Sequence, residues 1–203
     1  MLYYRFTIDP NASTGNAYSM SLELKLYGDS VLRERAIEVS DFSESLNNLV
    51  KEMLEVMYAS YGIGLAAEQV GRLERVFVID IPPESDVDKH GTRLHPDVKM
   101  PIVFVNPVIE SHSEETETGT EGCLSFPGMS GDIDRWYEVN VTFNDVDGVK
   151  QKLHAKGLLA RAIQHELDHL NGVLFIDHMS PVKKMLLDGR LKRLARDTKR
   201  KSP

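Results

Sequence analysis

The spacing of apolar residues changes twice along this 203-residue chain, and the order of the changes limits the folds open to it. From Phe42, apolar side chains at Leu46, Leu49, Val50, Met53, Leu54 and Met57 recur three and four residues apart. This spacing predicts a helix with one buried face, capped at Asp41 and running to about Ala59. The middle of the chain carries short β-type runs instead: RVFVIDI at 75–81, IVFVNPVI at 102–109, then 114–118, 138–143 and, after the Asp147-Gly148 turn, 150–155. Helical spacing returns at Leu158, Leu159, Ala162, Ile163, Glu166, Leu167 and Leu170 and stops at Asn171-Gly172, a C-terminal signal. A last helix from about Pro181 places Leu187, Leu191 and Leu194 on one side. One helix, many strands and two further helices favour an α+β domain over alternating βαβ units.

Two stretches interrupt this pattern. YGIGLAAEQVG at 61–71 holds glycines that oppose helix and strand alike and is expected as a loop set against the following strand. Residues 82–101, with Pro82, Pro83, Pro96 and Pro101 among charged residues, are expected as an exposed excursion without chemistry. At the start of the chain, residues 1–19 read as an N-terminal extension, since 11–16 is polar and turn-forming and Met20 is a second possible start. That leaves 20–181 as the main domain and 182–203 as a basic C-terminal helix or tail.

No apolar run approaches the roughly 18 residues of a membrane span, and the first twenty residues lack the apolar centre of an export signal. A soluble, cytoplasmic protein that does not engage membrane is therefore expected. The single cysteine, Cys123, has no internal disulfide partner, which leaves it as a thiol, a core filler or a ligand. The chain carries a net charge of −7, yet residues 182–203 hold nine basic side chains against Asp188 and Asp197, so the rest is acidic by 14. A basic tail on an acidic body suits a polyanionic partner.

The local pattern richest in chemistry is His165-Glu166-Leu167-Asp168-His169. On a helix, residues four apart lie one above the other, so both imidazoles reach one metal while Glu166 sits beside it. A catalytic metal site keeps three protein ligands and an open position, and the third ligand has to come from elsewhere. The pattern extended by a third histidine fails because Phe175 stands at its last position. The pattern with a downstream glutamate fails because none follows Glu166; Asp188 lies at a tolerable distance but belongs to the basic tail. Cys123, flanked by Gly122 and Pro127-Gly128, is the remaining soft donor. Two imidazoles, a thiolate and water would suit zinc. His154 and His178 have no such setting and read as structural or surface residues. The glycine-rich 62–69 segment lacks the Lys-Ser/Thr ending of a phosphate loop and the third glycine of a dinucleotide fold. Backbone groups at Ile63, Gly64 and Gly122 instead suit pairing with an extended peptide as an added strand.

Three segments in this order, GIGLAAEQ at 62–69, EGCLS at 121–125 and QHELDH at 164–169, resemble the three signature motifs of peptide deformylases. These enzymes remove the formyl group from new bacterial or organellar polypeptides. The resemblance runs from about Leu24 to Pro181 and includes YGDSVLRERAIEV at 27–39. It implies antiparallel β-sheets packed around a central metal-binding helix, with a C-terminal helix. It implies Cys123, His165 and His169 as metal ligands, and ferrous iron as the usual metal with zinc or nickel able to substitute. Glu166 would handle the water proton, while the Gln69 amide and the Leu124 N–H would face the developing oxyanion. The implied substrate is an N-formylmethionyl nascent peptide, its methionine in an apolar pocket. A basic C-terminal helix is similar to that with which bacterial members dock on ribosomes. Two other readings stand beside this one: a metallopeptidase using Asp188 or His178, and a non-catalytic ribosome-binding relict.

Overall fold

The computed structural model describes residues 22–201; the expected extension at 1–19 lies outside them. Seven strands form two antiparallel sheets. The larger has the order β1 (Gly64–Ala66), β2 (Val76–Ile79), β3 (Ile102–His112), β6 (Glu138–Asn144), β7 (Lys150–Lys156), and the smaller pairs β4 (Thr116–Gly122) with β5 (Ser130–Trp136). Helix α1 (Glu44–Ala59) covers one face of the larger sheet, and α2 (Gly157–Leu170) lies against the other. A one-turn helix α3 (Phe175–His178) leads into α4 (Pro181–Lys201). The α+β expectation holds, with antiparallel sheets around α2 and a helix at the C-terminal end.

Strand β2 explains why RVFVIDI is apolar at almost every position: its burial is two-sided. Val76 and Val78 pack with Leu49, Met53 and Met57 of α1, whereas Phe77 and Ile79 pack with Leu159 and Ile163 of α2. Side chains alternate across a strand, so a strand between two helices must be apolar on both faces. A third cluster joins Ile133 of β5 to Phe126, Phe175, Ile176 and Leu191, docking the smaller sheet and α4. Helix α4 also crosses Gly28 so closely that a Cβ there would stand 2.6 Å from the Ala195 Cα, and Gly28 has φ +112°, a conformation open to glycine at little cost.

Several local expectations are revised. Helix α1 starts at Glu44 behind an N-cap at Ser43, not Asp41; Leu46 and Asn47 donate their N–H groups to the Ser43 carbonyl, and Phe42 stays outside the helix and packs on the α1 cluster. The 61–71 segment is not all loop: Gly64, Leu65 and Ala66 pair with Ile79, Val78 and Phe77 as strand β1, followed by a 3-10 turn at Ala67–Val70. Strand β5 and helix α3 were not anticipated. The first alternates Asp132, Ile133, Asp134, Arg135 and buries only one face, which hides it among polar residues.

The 82–101 excursion is anchored rather than wholly exposed. Asp86 and His95 are buried, and a carboxylate only accepts, so the Nδ1–H of His95 donates to Asp86 Oδ1 at 2.6 Å. Nε2 of the same ring accepts the N–H of Lys156 at 3.1 Å, immediately before α2. The excursion thus ties down the start of the helix that carries His165.

Candidate metal centre

Helix α2 brings His165 and His169 to one face as their spacing requires, with ring centroids 5.1 Å apart. Cys123 enters from the other sheet, immediately after β4, and its Sγ lies 3.3 Å from His169 Nε2. Donor atoms of the three residues all lie within 4.8 Å of one another, and all three residues are buried. A thiol and two imidazoles converging in a dry site present lone pairs that repel one another unless a proton or a cation lies among them. One proton is accommodated unevenly. Burial disfavours a charged His165, but hydrogen bonds with Cys123 and Glu121 outweigh it and raise its pKa well above the usual range. Burial and the neighbouring His165 push His169 well below it. A divalent cation would replace that proton, and the soft donor set of one sulfur and two nitrogens fits one.

Glu121 holds the His165 ring. It is fully buried, and its Oε2 accepts from His165 Nδ1 at 2.9 Å, which leaves the Nε2 lone pair for a metal. Arg135 binds the same carboxylate through Nε at 2.9 Å and Nη2 at 3.0 Å, and Arg161 adds Nη1 at 2.9 Å. Burial alone would raise the Glu121 pKa, but the His165 and Arg135 hydrogen bonds hold it well below the carboxylate range. This anion was quoted in EGCLS without a role, and neither arginine carried a local signal, since each reaches Glu121 from a distant element.

A cavity of about 10 Å³, close to the room one water needs, gathers the remaining expected residues. Ile63, Gly64, Gln69, Gly122, Cys123, Leu124, His165 and Glu166 line it together with Gly62. Gln69 is held by its own turn: Oε1 accepts the Ala66 N–H at 2.9 Å, turning Nε2 toward Cys123 Sγ and Ser125 Oγ, 3.4 Å from each. Glu166 is buried with Oε2 unpaired in the protein, and burial raises its pKa to about 7. Gly64 faces it so closely that a Cβ would lie 2.9 Å from the carboxyl carbon, so the position is constrained by Glu166 as well as by any peptide. His178 and His154 stand apart, paired with Asp168 and Glu138.

Sequence reasoning also passed over Glu68. It has no exposed surface, neither carboxylate oxygen has a hydrogen-bond partner in another residue, and burial pushes its pKa from 4.5 up to about 8, opposed by its own backbone N–H and Arg75 and helped by nearby Glu166 and Glu74. Because the folded-state pKa is the higher, its contribution to stability is intact below about 4.5 and is lost as pH rises toward about 8. Glu68→Gln is expected to remove that loss, gaining roughly 2–4 kcal/mol over the parent on going from pH 5 to pH 8. Urea unfolding of both proteins at the two pH values checks this; parallel pH dependences would contradict it.

An HExxH helix joined by a cysteine from a neighbouring sheet has the form of a metallo-hydrolase centre, with three converging donors that could hold one metal ion. The polypeptide deformylase family model matches residues 21–185. Peptide deformylase 1 of Corynebacterium efficiens is 47% identical over 162 residues, covering 80% of this chain and 89% of its own. The peptide deformylase of Endomicrobium trichonymphae is 42% identical over 172 residues, covering 85% and 94%. Among solved structures, a Plasmodium falciparum peptide deformylase superposes with a TM-score of 0.78 at 37% identity, covering 89% of this chain and 99% of its own. That of Legionella pneumophila gives 0.73 at 38%, covering 90% and 99%. The chain belongs to the peptide deformylase family.

Proposed function

We propose that this chain hydrolyses the N-formyl group from the N-terminal methionine of newly made polypeptides, releasing formate and a free amine. The observation that carries the reading is the convergence of Cys123, His165 and His169 beside Glu166 and Gln69 in one small cavity. We assign Cys123, His165 and His169 as ligands of ferrous iron, with zinc or nickel as substitutes. When bound by these residues, the cation would supply Lewis acidity, lowering the pKa of water enough for attack near neutrality.

The protein groups do the rest. Glu166 takes the proton from the attacking water and returns it to the departing amine, a task suited to a carboxyl whose pKa burial brings to about 7. The Gln69 Nε2–H group, aimed by the Ala66 anchor, and the Leu124 backbone N–H donate to the oxyanion that forms from the formyl oxygen. The peptide lies extended along Ile63 and Gly64 on one side and Gly122 on the other. Strand β1 is at the edge of its sheet, paired with β2 alone, so a backbone edge remains for an added strand.

We keep residues 20–181 as the catalytic domain, 1–19 as an extension and 182–203 as a basic tail helix. Leu187, Leu191 and Leu194 seat that helix on the domain, and its basic residues, several of them exposed though ion-paired as Lys192 is with Asp188 and Arg193 with Asp197, would contact ribosomal RNA. Among the described residues no helix is long and apolar enough to cross a membrane, and we assign a cytoplasmic location. A metallopeptidase using Asp188 or His178 is not favoured, because these side chains pair with Lys192 and Asp168 outside the donor group. Formate release from an N-formylmethionyl tripeptide, by protein purified without oxygen and loaded with ferrous iron, tests the activity. Turnover supports it; no release from verified iron-loaded protein favours the non-catalytic relict.

A further inference from the structure

A chain of charge-assisted hydrogen bonds leads from the surface to His165 by way of residues that the proposed reaction does not use. His178, exposed on α3, lies with Nε2 2.7 Å from Asp168 Oδ2; a carboxylate only accepts, so this nitrogen carries the proton. The same oxygen accepts from Arg135 Nη1 at 2.6 Å. Arg135 is buried, and its other two nitrogens engage Glu121, which in turn accepts from His165 Nδ1.

We infer that Asp168 and His178 are positioning residues for the metal centre, orienting His165 through Arg135 and Glu121. The inference rests on the reading of His165 as a ligand. An isolated exposed ion pair is worth little, but this one is coupled to a rigid planar guanidinium. With Nε and Nη2 on Glu121 and Nη1 on Asp168, Arg135 cannot tilt without breaking bonds at both ends, so its orientation sets that of Glu121. Glu121 in turn fixes the tautomer and ring plane of His165. The chain also spans four elements, α3, α2, β5 and the end of β4, so it joins the smaller sheet to the metal helix at the point where Cys123 must meet the two histidines. His178 closes the outer side of Asp168, and its loss would give that carboxylate to solvent and loosen its hold on Nη1.

The test uses the full chain loaded with cobalt(II), whose visible spectrum reports ligand geometry, in the parent, His178→Ala, His178→Gln and Asp168→Asn. Cobalt loss to an excess of chelator is followed beside the spectrum, thermal stability, and kcat and KM for a formylmethionyl peptide. His178→Ala and Asp168→Asn are expected to speed cobalt loss about 3- to 10-fold, shift the visible bands and lower kcat with KM unchanged. Gln at 178, which still offers an N–H to Asp168, is expected to restore most of each. Unchanged spectra and loss rates in both His178→Ala and Asp168→Asn overturn the inference, as does a fall in thermal stability alone. A parent that binds cobalt without a thiolate charge-transfer band overturns instead the reading of Cys123, His165 and His169 as the ligand set, a separate failure.

Discussion

Replacing Glu166 with Gln is expected to lower kcat for formate release by about three orders of magnitude while the metal stays in place. The two side chains have nearly the same shape, and Glu166 is not among the three converging donors, so ligand geometry should be preserved. What is lost is the capacity to accept a proton: a neutral amide can neither take one from water nor return it to the leaving amine. Gly64 confines the side chain from the opposite side, which leaves the amide no alternative pose in which another group could substitute. Folding should not suffer, because the carboxyl is buried with Oε2 unpaired, and exchanging it for an amide removes a desolvated ionisable group. Steady-state kinetics beside metal analysis of the same samples check the expectation. Near-parental turnover in a fully loaded variant would remove Glu166 from the chemistry and require another base in the cavity.

Glu121→Ala is expected to produce the largest structural effect. The carboxylate is the only side-chain anion hydrogen-bonded to both Arg135 and Arg161 among the described residues, and both guanidinium groups are buried. Removing it leaves Arg135 with Asp168 alone and takes from Arg161 its hydrogen-bonded carboxylate, and deleting one partner of a buried ion pair costs about 3–5 kcal/mol. For a domain of this size that corresponds to a melting temperature lower by roughly 10 °C. The same substitution deprives His165 Nδ1 of its acceptor, so metal affinity should also fall about 10- to 100-fold. Glu121→Gln, which keeps one carbonyl acceptor and restores no charge, should lie between parent and Ala. Thermal unfolding and competition with a chelator measure the two effects separately. An unchanged melting temperature in the Ala variant would mean that water entering the cavity solvates the arginines and that the buried network is dispensable.

Legibility differed between parts of the molecule for identifiable reasons. The pairing of His165 with His169 could be read directly, since the geometry of a helix relates residues four apart without outside help. Strand β2 was recognisable because burial on both faces leaves an uninterrupted apolar run, and α2 and α4 because their leucines recur at helical spacing, although α2 is buried on almost every side from Leu159 to Glu166. Strand β5 escaped notice: on its inward face a core isoleucine, Ile133, alternates with a buried arginine, Arg135, and the arginine belongs there only because Glu121 opposes it. The start of α1 moved from Asp41 to Ser43 because the choice between neighbouring capping residues depends on how Phe42 packs, which local composition does not state. The 82–101 excursion was read as surface chain, and the buried Asp86–His95 pair that anchors it to Lys156 joins residues far apart in sequence.

By itself, the sequence determined the order of the three long helices and of five of the seven strands, the three motif segments and the chemical types of the donors, because these depend on residue identity and on spacings of a few residues. Tertiary structure alone decided that Cys123 meets the two histidines, that Glu121 is held between two arginines, that Gly64 clears the Glu166 carboxyl, and that Glu68 is left without a partner. The first three of those outcomes are distances between groups at least 14 residues apart, and the fourth is the absence of any such group within reach. Such distances follow from how two sheets and a helix bury their apolar faces together, a collective packing result that no single segment encodes.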